Sequence, residues 1–173
     1  MRRNLTAGSP ASILGDMDEP GPPKDDILDL LRSLAPLVEF EPAASEGDIV
    51  AAERGLGLSL PDELRTFRLA SDGVTTGIEL NSGEVLPHVT RLVWSVAEIT
   101  RNREPQPLVP QPPHILFFAD AGVDGILFGH PIYSPSSVGP DVVWWDPLDH
   151  RLVPAAPSFR AWLQAWLPGA LTV

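Results

Sequence analysis

Residues 45–74, SEGDIVAAERGLGLSLPDELRTFRLASDGV, read as two short helices joined by a glycine-spaced connector. Ser45 can accept a free N–H of the first helix, and Asp48 sits three residues on, near the positive helix end, as an imperfect capping box. Ile49, Ala52 and Leu56 follow at helical spacing, and Gly55 and Gly57 supply a stop. Pro61 suits the first position of the second helix, where its missing N–H costs nothing. Leu64 and Phe67 give that helix an apolar face, and Asp72-Gly73 is expected to end it. The stretch carries no chemical groups arranged for catalysis. It is a scaffold.

Upstream, Ile27, Leu30, Leu31, Leu34 and Val38 recur at three- and four-residue steps, which predicts an amphipathic helix from about Lys24 that ends near Pro36. Residues 1–23 are acidic, rich in Pro and Gly and without apolar periodicity, so they read as a flexible tail before a single domain over 24–173. Downstream the period changes to that of strands. Residues 77–80 and 84–86 flank Asn81-Ser82-Gly83, a plausible hairpin turn, and residues 91–94 make a further strand. Ser95 and Glu98 form a full capping box for a helix ending near Arg103. Residues 104–113 hold five prolines and predict an extended loop.

HILFFA (114–119), then the turn DAGVDG (120–125), then residues 126–129 predict a strand, turn and strand. Residues 130–140 read as a loop and 142–145 as a strand. Asp146-Pro-Leu-Asp149 reads as a tight turn into residues 151–153. Ser158 caps a last helix whose Phe159, Trp162, Leu163, Trp166 and Leu167 form one continuous apolar stripe. The order predicts an α+β fold with N-terminal helices, a central, mostly antiparallel sheet of about 5–6 strands and a C-terminal helix.

Composition narrows the function. The chain has 173 residues, 43% of them hydrophobic, which is enough for a core. It has no cysteine, so disulfides, thiolate metal sites and a cysteine nucleophile are excluded. No secretory h-region and no membrane-length apolar run are visible, and a cytoplasmic protein is expected. The formal net charge is −11, and residues 16–53 hold eleven acids against Lys24 and Arg32. Such a chain repels nucleic-acid phosphates; its charge serves either solubility alone or the steering of a basic protein partner.

The most site-like group is Asp120, Asp124, Asp146 and Asp149. Four carboxylates can bind a divalent cation or serve as acid and base, but aspartates in tight turns mostly accept backbone N–H groups. The four histidines show no paired ligand spacing, and neither a GxSxG elbow nor a phosphate-binding glycine loop is present. No catalytic, metal or cofactor site is therefore assigned. Trp144 and Trp145 are neighbours on a strand and must face opposite ways. Unless both faces are covered, one is exposed beside the turn acids as an anchor for a partner.

Taken in order, these segments resemble the SUKH superfamily in its SMI/KNR-type branch, over residues 45–167. The matching pieces are SEGDIVAAERGLGLSLPDELRTF with SDG, WSVAEI, HILFFADAGVDGILF, VVWWDP and APSFRAWLQAWL. Glu53, Leu60, Pro61, Phe67, Gly73, Gly122, Gly125 and Phe159 fall on characteristic positions. The acidic tail and the proline-rich 104–113 loop depart from the pattern. The resemblance implies a non-enzymatic binding protein, of a kind that in bacteria acts as immunity protein to polymorphic toxins, often nucleases. The leading expectation is an antitoxin that binds a basic toxin domain, with Asp120, Asp124, Trp144, Trp145, Asp146 and Asp149 as contact candidates. A general SMI/KNR-type interaction or regulatory module comes second, and a metal-dependent enzyme third.

Overall fold

The computed structural model describes residues 24–34, 38–79, 85–103, 111–134 and 136–171. The expected tail at 1–23, the Asn81-Ser82-Gly83 turn and most of the proline-rich loop lie outside the described residues. The elements run α1 (Lys24–Leu34), β1 (Glu39–Phe40), α2 (Glu46–Leu56), α3 (Asp62–Arg68), β2 (Val74–Glu79), β3 (Val85–Val93) and α4 (Val96–Asn102). There follow β4 (Ile115–Asp120), β5 (Leu127–Ser134), β6 (Ser137–Val138), β7 (Val142–Asp146), β8 (Arg151–Ala156) and α5 (Phe159–Trp166). No helix among the described residues is long and apolar enough to cross a membrane.

The sheet order is β1-β2-β3-β4-β5-β7-β8, with β6 on β5, and every pairing is antiparallel. This is the expected α+β layout, with eight strands among the described residues rather than about 5–6. Two of the eight, β1 and β6, are only two residues long, too short to leave any alternation to read. Residues 85–93 form one continuous strand where the hydropathy pattern suggested two pieces. Residues 130–134, expected in a loop, extend β5 instead. There the Ile132 N–H donates to the His114 carbonyl at 2.7 Å, and the Pro131 carbonyl accepts from Gly139 at 2.7 Å. Pro131 lacks an N–H, but its neighbours supply the ladder.

The helix ends follow local chemistry. Ser45 accepts the Asp48 N–H at 3.1 Å while the Asp48 carboxylate accepts from the Ser45 N–H at 3.3 Å, so aspartate completes the box. Gly57 ends α2 in the left-handed region at φ 65°. The Glu53 carboxylate then accepts the Leu60 N–H at 2.9 Å, which pins the connector to α2. Pro61 stands one position earlier than expected, at the N-cap rather than the first helical residue. Gly73 is not the helix stop: α3 ends at Arg68, and Gly73 leads into β2. A Cβ there would lie 3.1 Å from the Val93 carbonyl oxygen, a closer approach than ordinary van der Waals contact. Asp72 likewise serves another helix, accepting the Val96 N–H at the start of α4 at 2.9 Å. Burial raises its pKa, and that N–H offsets the effect in part.

The core is held by rings. Phe67 of α3 and Phe159 of α5 stand 5.1 Å apart between centroids, and Phe159 meets Phe118 of β4 at 5.3 Å. Trp162 packs edge-on to Phe118 at 5.0 Å and against Phe128 of β5 at 5.1 Å. The start of α5 is tied to α3, because the Glu63 carboxylate accepts the Arg160 N–H at 2.8 Å. Arg68 is wholly buried at the end of α3. One of its N–H groups donates to the Asp72 carbonyl at 3.1 Å, while Nε and Nη2 have no partner among the described residues. Burial lowers this guanidinium to about 10, so it stays charged at neutral pH.

Gly129 sits mid-sheet between β4 and β7. A Cβ there would come 2.8 Å from the Leu116 carbonyl oxygen, backbone that cannot step aside. Gly129→Ala is expected to lower stability by about 1–3 kcal/mol, as overpacking does, in urea unfolding. A wild-type midpoint would show that the strands part freely at that point.

Candidate docking surface at two adjacent turns

The β4–β5 turn is built by its acids and glycines. The Asp120 carboxylate accepts the Gly122 N–H at 2.7 Å. Gly122, Asp124 and Gly125 then take φ of 75°, 51° and 71°, a run that glycine and aspartate tolerate better than other residues. The Ile126 N–H closes the turn on the Val123 carbonyl at 3.0 Å. This geometry leaves Val123 at the tip, 51% exposed.

The β7–β8 turn repeats the device. One Asp146 oxygen accepts the N–H groups of Leu148 at 2.9 Å and Asp149 at 3.2 Å, and the other receives Arg151 Nε at 3.3 Å. His150 takes φ 51° to complete the reversal. Leu148 is left at the tip, 76% exposed. The Asp149 N–H bond is the main reason Asp146 titrates below the usual carboxylate range, helped by Leu148 and Arg151. Its stabilising bonds are therefore present above the unfolded-state value and lost as pH falls through the lower folded value. Asp146→Asn is expected to be less stable than wild type in urea at pH 7, with the gap narrowing at pH 3. A gap of constant size would deny the carboxylate this role.

The two turns lie side by side. β5 pairs with β7 through Leu127↔Trp145, and a Cβ on Gly125 would touch Pro147 at 3.5 Å. One end of the sheet thus carries two exposed aliphatic tips, with exposed Asp124 and Asp149 beside them.

The four candidate acids divide by task. Asp120 and Asp146 are committed to backbone N–H groups, the exposed Asp149 pairs with Arg151 at 3.5 Å, and Asp124 faces solvent. Among the described residues, no three acids or histidines gather as a metal site would require. Trp144 and Trp145 do face opposite ways, but both are buried, at 9% and 6% exposure, so neither is a free anchor. Arg151 lies over the Trp144 ring at 5.6 Å, and Trp145 packs beside His150 at 5.8 Å. The exposed apolar role belongs instead to Val123 and Leu148, which sequence reasoning passed over. The signal was present as an aliphatic residue inside each acid-rich turn, in DAGVDG and DPLD.

A second concavity lies elsewhere. The start of α3, the β5–β6 ribbon and the cap of α5 enclose a cleft of about 420 Å³ that includes Asp62, Glu63, His130, Ser137 and Ser158. The His130 imidazole is wholly buried, and its Nδ1 is 2.9 Å from the Asp141 carbonyl. Burial lowers it to about 4, an effect the carbonyls of Asp141, Gly139 and Pro140 offset only in part. The ring is therefore neutral at pH 7.

The SMI1 / KNR4 family (SUKH-1) has a sequence model that matches residues 43–165. No curated protein matches the chain.

Proposed function

The chain belongs to the SMI1 / KNR4 family (SUKH-1), and from that premise we propose that it is a binding protein without enzymatic activity. Its task is to neutralise a basic toxin domain, of the nuclease type, by covering it directly in the cytoplasm. The observation that carries this reading is the pair of adjacent turns holding Val123 and Leu148 out of the sheet among Asp124 and Asp149. Exposed aliphatic side chains ringed by charge suit a partner that brings apolar contact and opposite charge. The net charge of −11 adds long-range attraction for a basic partner and speeds encounter.

The turns are also braced from within. Their backbones are fixed by the Asp120 and Asp146 carboxylates and by the strands behind them. Little ordering entropy is then lost on docking. Neutralisation needs no reacting group on this chain, because occupying the toxin's substrate cleft is sufficient.

Co-expression tests the reading. Cells producing the toxin encoded beside this chain are expected to grow when the chain is present, and the two proteins to elute together. Absence of both rescue and complex would overturn it.

A further inference from the structure

At the end of the sheet away from the two turns, a groove of about 410 Å³ lies between the last turn of α2, the end of α4 and the start of β4. Leu56, Leu58, Pro113 and Ile132 make most of its wall apolar, and Arg103 and His114 supply its basic groups. No aspartate or glutamate is among the described residues that line it. In a chain of net charge −11, that local sign is the reverse of the whole. Along β5, Ile132 stands about 17 Å from Leu127 beside the turns, at the usual strand rise.

Arg103 is held at the β4 side of this groove. Its Nη1 donates to the Ile115 carbonyl at 2.8 Å, one residue from His114 of the groove wall. Its Nε and Nη2 make no bond among the described residues, and unlike the same atoms of Arg68 they are not sealed from solvent. These two nitrogens form the side of the guanidinium whose parallel N–H groups match a carboxylate. Arg65, Arg91 and Arg151 each pair with carboxylates of the chain. Arg103 does not: burial holds it below its usual value, and no carboxylate among the described residues offsets that. A partly desolvated cation without a counter-charge is costly, and an anion that reaches it recovers that cost.

We infer that this groove binds a small carboxylate carried on an apolar body, its carboxylate on Arg103 Nε and Nη2 and its apolar part against Leu56, Leu58 and Ile132. An apolar wall with one placed charged group is the usual make-up of a small-molecule site, and the volume is in the usual range. One guanidinium balances one negative charge, and apolar walls disfavour a strongly hydrated dianion such as phosphate. The occupant differs from the basic partner of the turns, because a second cation at Arg103 would be repelled. Such a site is independent of toxin binding.

The test is a magnetic-resonance titration of the full chain, labelled at arginine Nε and at the Ile and Leu methyl groups, with octanoate, octanol and acetate. Octanoate is expected to shift the Arg103 Nε signal and the Ile132 and Leu58 methyl signals together and saturably. Octanol lacks the charge and acetate the apolar body, so each should bind at least about tenfold more weakly. Arg103→Gln keeps a donor for the Ile115 carbonyl and removes the charge. Read from the methyl signals, it should bind octanoate at least about tenfold more weakly. No saturable shift with octanoate, an equal response to octanol, or undiminished binding by the folded variant would overturn the inference. A shift with a peptide ending in leucine and none with octanoate would also overturn it, and would give the groove to a protein terminus. Should the variant fail to fold, the three probes on wild type still decide. The titration needs no partner, so it can fail while toxin binding stands, and succeed where no toxin complex forms.

Discussion

Trp162→Ala is expected to lower the unfolding free energy by about 3–5 kcal/mol, the range for large aromatic truncations in a core. Trp162 has no exposed surface and touches Phe118, Phe128 and Phe159, so it joins α5 to both central strands. Its replacement opens a void where helix and sheet meet, and the surrounding rings are too stiff to fill it. At about 2–4 °C per kcal/mol for a domain of this size, the melting temperature should fall by about 10 °C. Trp162→Phe separates packing from hydrogen bonding. The indole N–H has no partner among the described residues, so phenylalanine gives up no bond and should cost much less than alanine. Equal losses for the two variants would mean that the N–H, not the ring volume, matters.

Acid should weaken the fold through His130. Its ordinary value is 6.5 and its folded value about 4, lowered by burial. The unfolded chain therefore binds a proton between those limits that the folded chain refuses. The stability this supplies is complete above pH 6.5 and is lost as pH falls toward 4. At about 1.4 kcal/mol per pH unit, the loss comes to about 3 kcal/mol. Asp141 is the charged neighbour that favours protonation, and its carbonyl already takes the Nδ1 proton. His130→Asn keeps a donor near Nδ1 and removes the titration. Urea unfolding at pH 7, 5 and 4 should show wild type losing its advantage over the variant as pH falls. A constant difference would rule out His130 as the titrating group.

What could be read from the chain was what is local. The caps at Ser45, Ser95 and Ser158 and the stop at Gly57 are set by residues within four positions, and each helix begins or ends where those residues place it. The apolar stripe of α5 is equally local in spacing, and Trp162 and Leu163 are buried as the stripe requires. What escaped depends on distant neighbours. Asp72 looked like a helix stop because its partner, the Val96 N–H, is far along the chain. Gly73 looked like part of the same stop, although its constraint is the Val93 carbonyl. Arg68 gave no hint of being buried, since a polar residue on a short helix normally faces water.

The candidate surface was half legible for the same reason. The acid-rich turns were visible as turns. Whether Trp144 or Val123 met solvent depended on what covered each sheet face, and alternation along one strand does not report that. Val123 and Leu148 have the composition of core residues. Only the φ-positive turns reveal that their side chains are held outward.

The sharpest measurement is a calorimetric titration of the proposed toxin partner into wild type and into Val123→Arg/Leu148→Arg. Both changes lie at exposed tips, so the variant should keep the wild-type melting temperature within about 2 °C. Cationic side chains there oppose a basic partner and remove the apolar contact. Wild type should form a one-to-one complex, and the variant should bind at least about 100-fold more weakly, close to 3 kcal/mol. A folded variant that binds the toxin as tightly as wild type would place the interface elsewhere and refute this account of the turns.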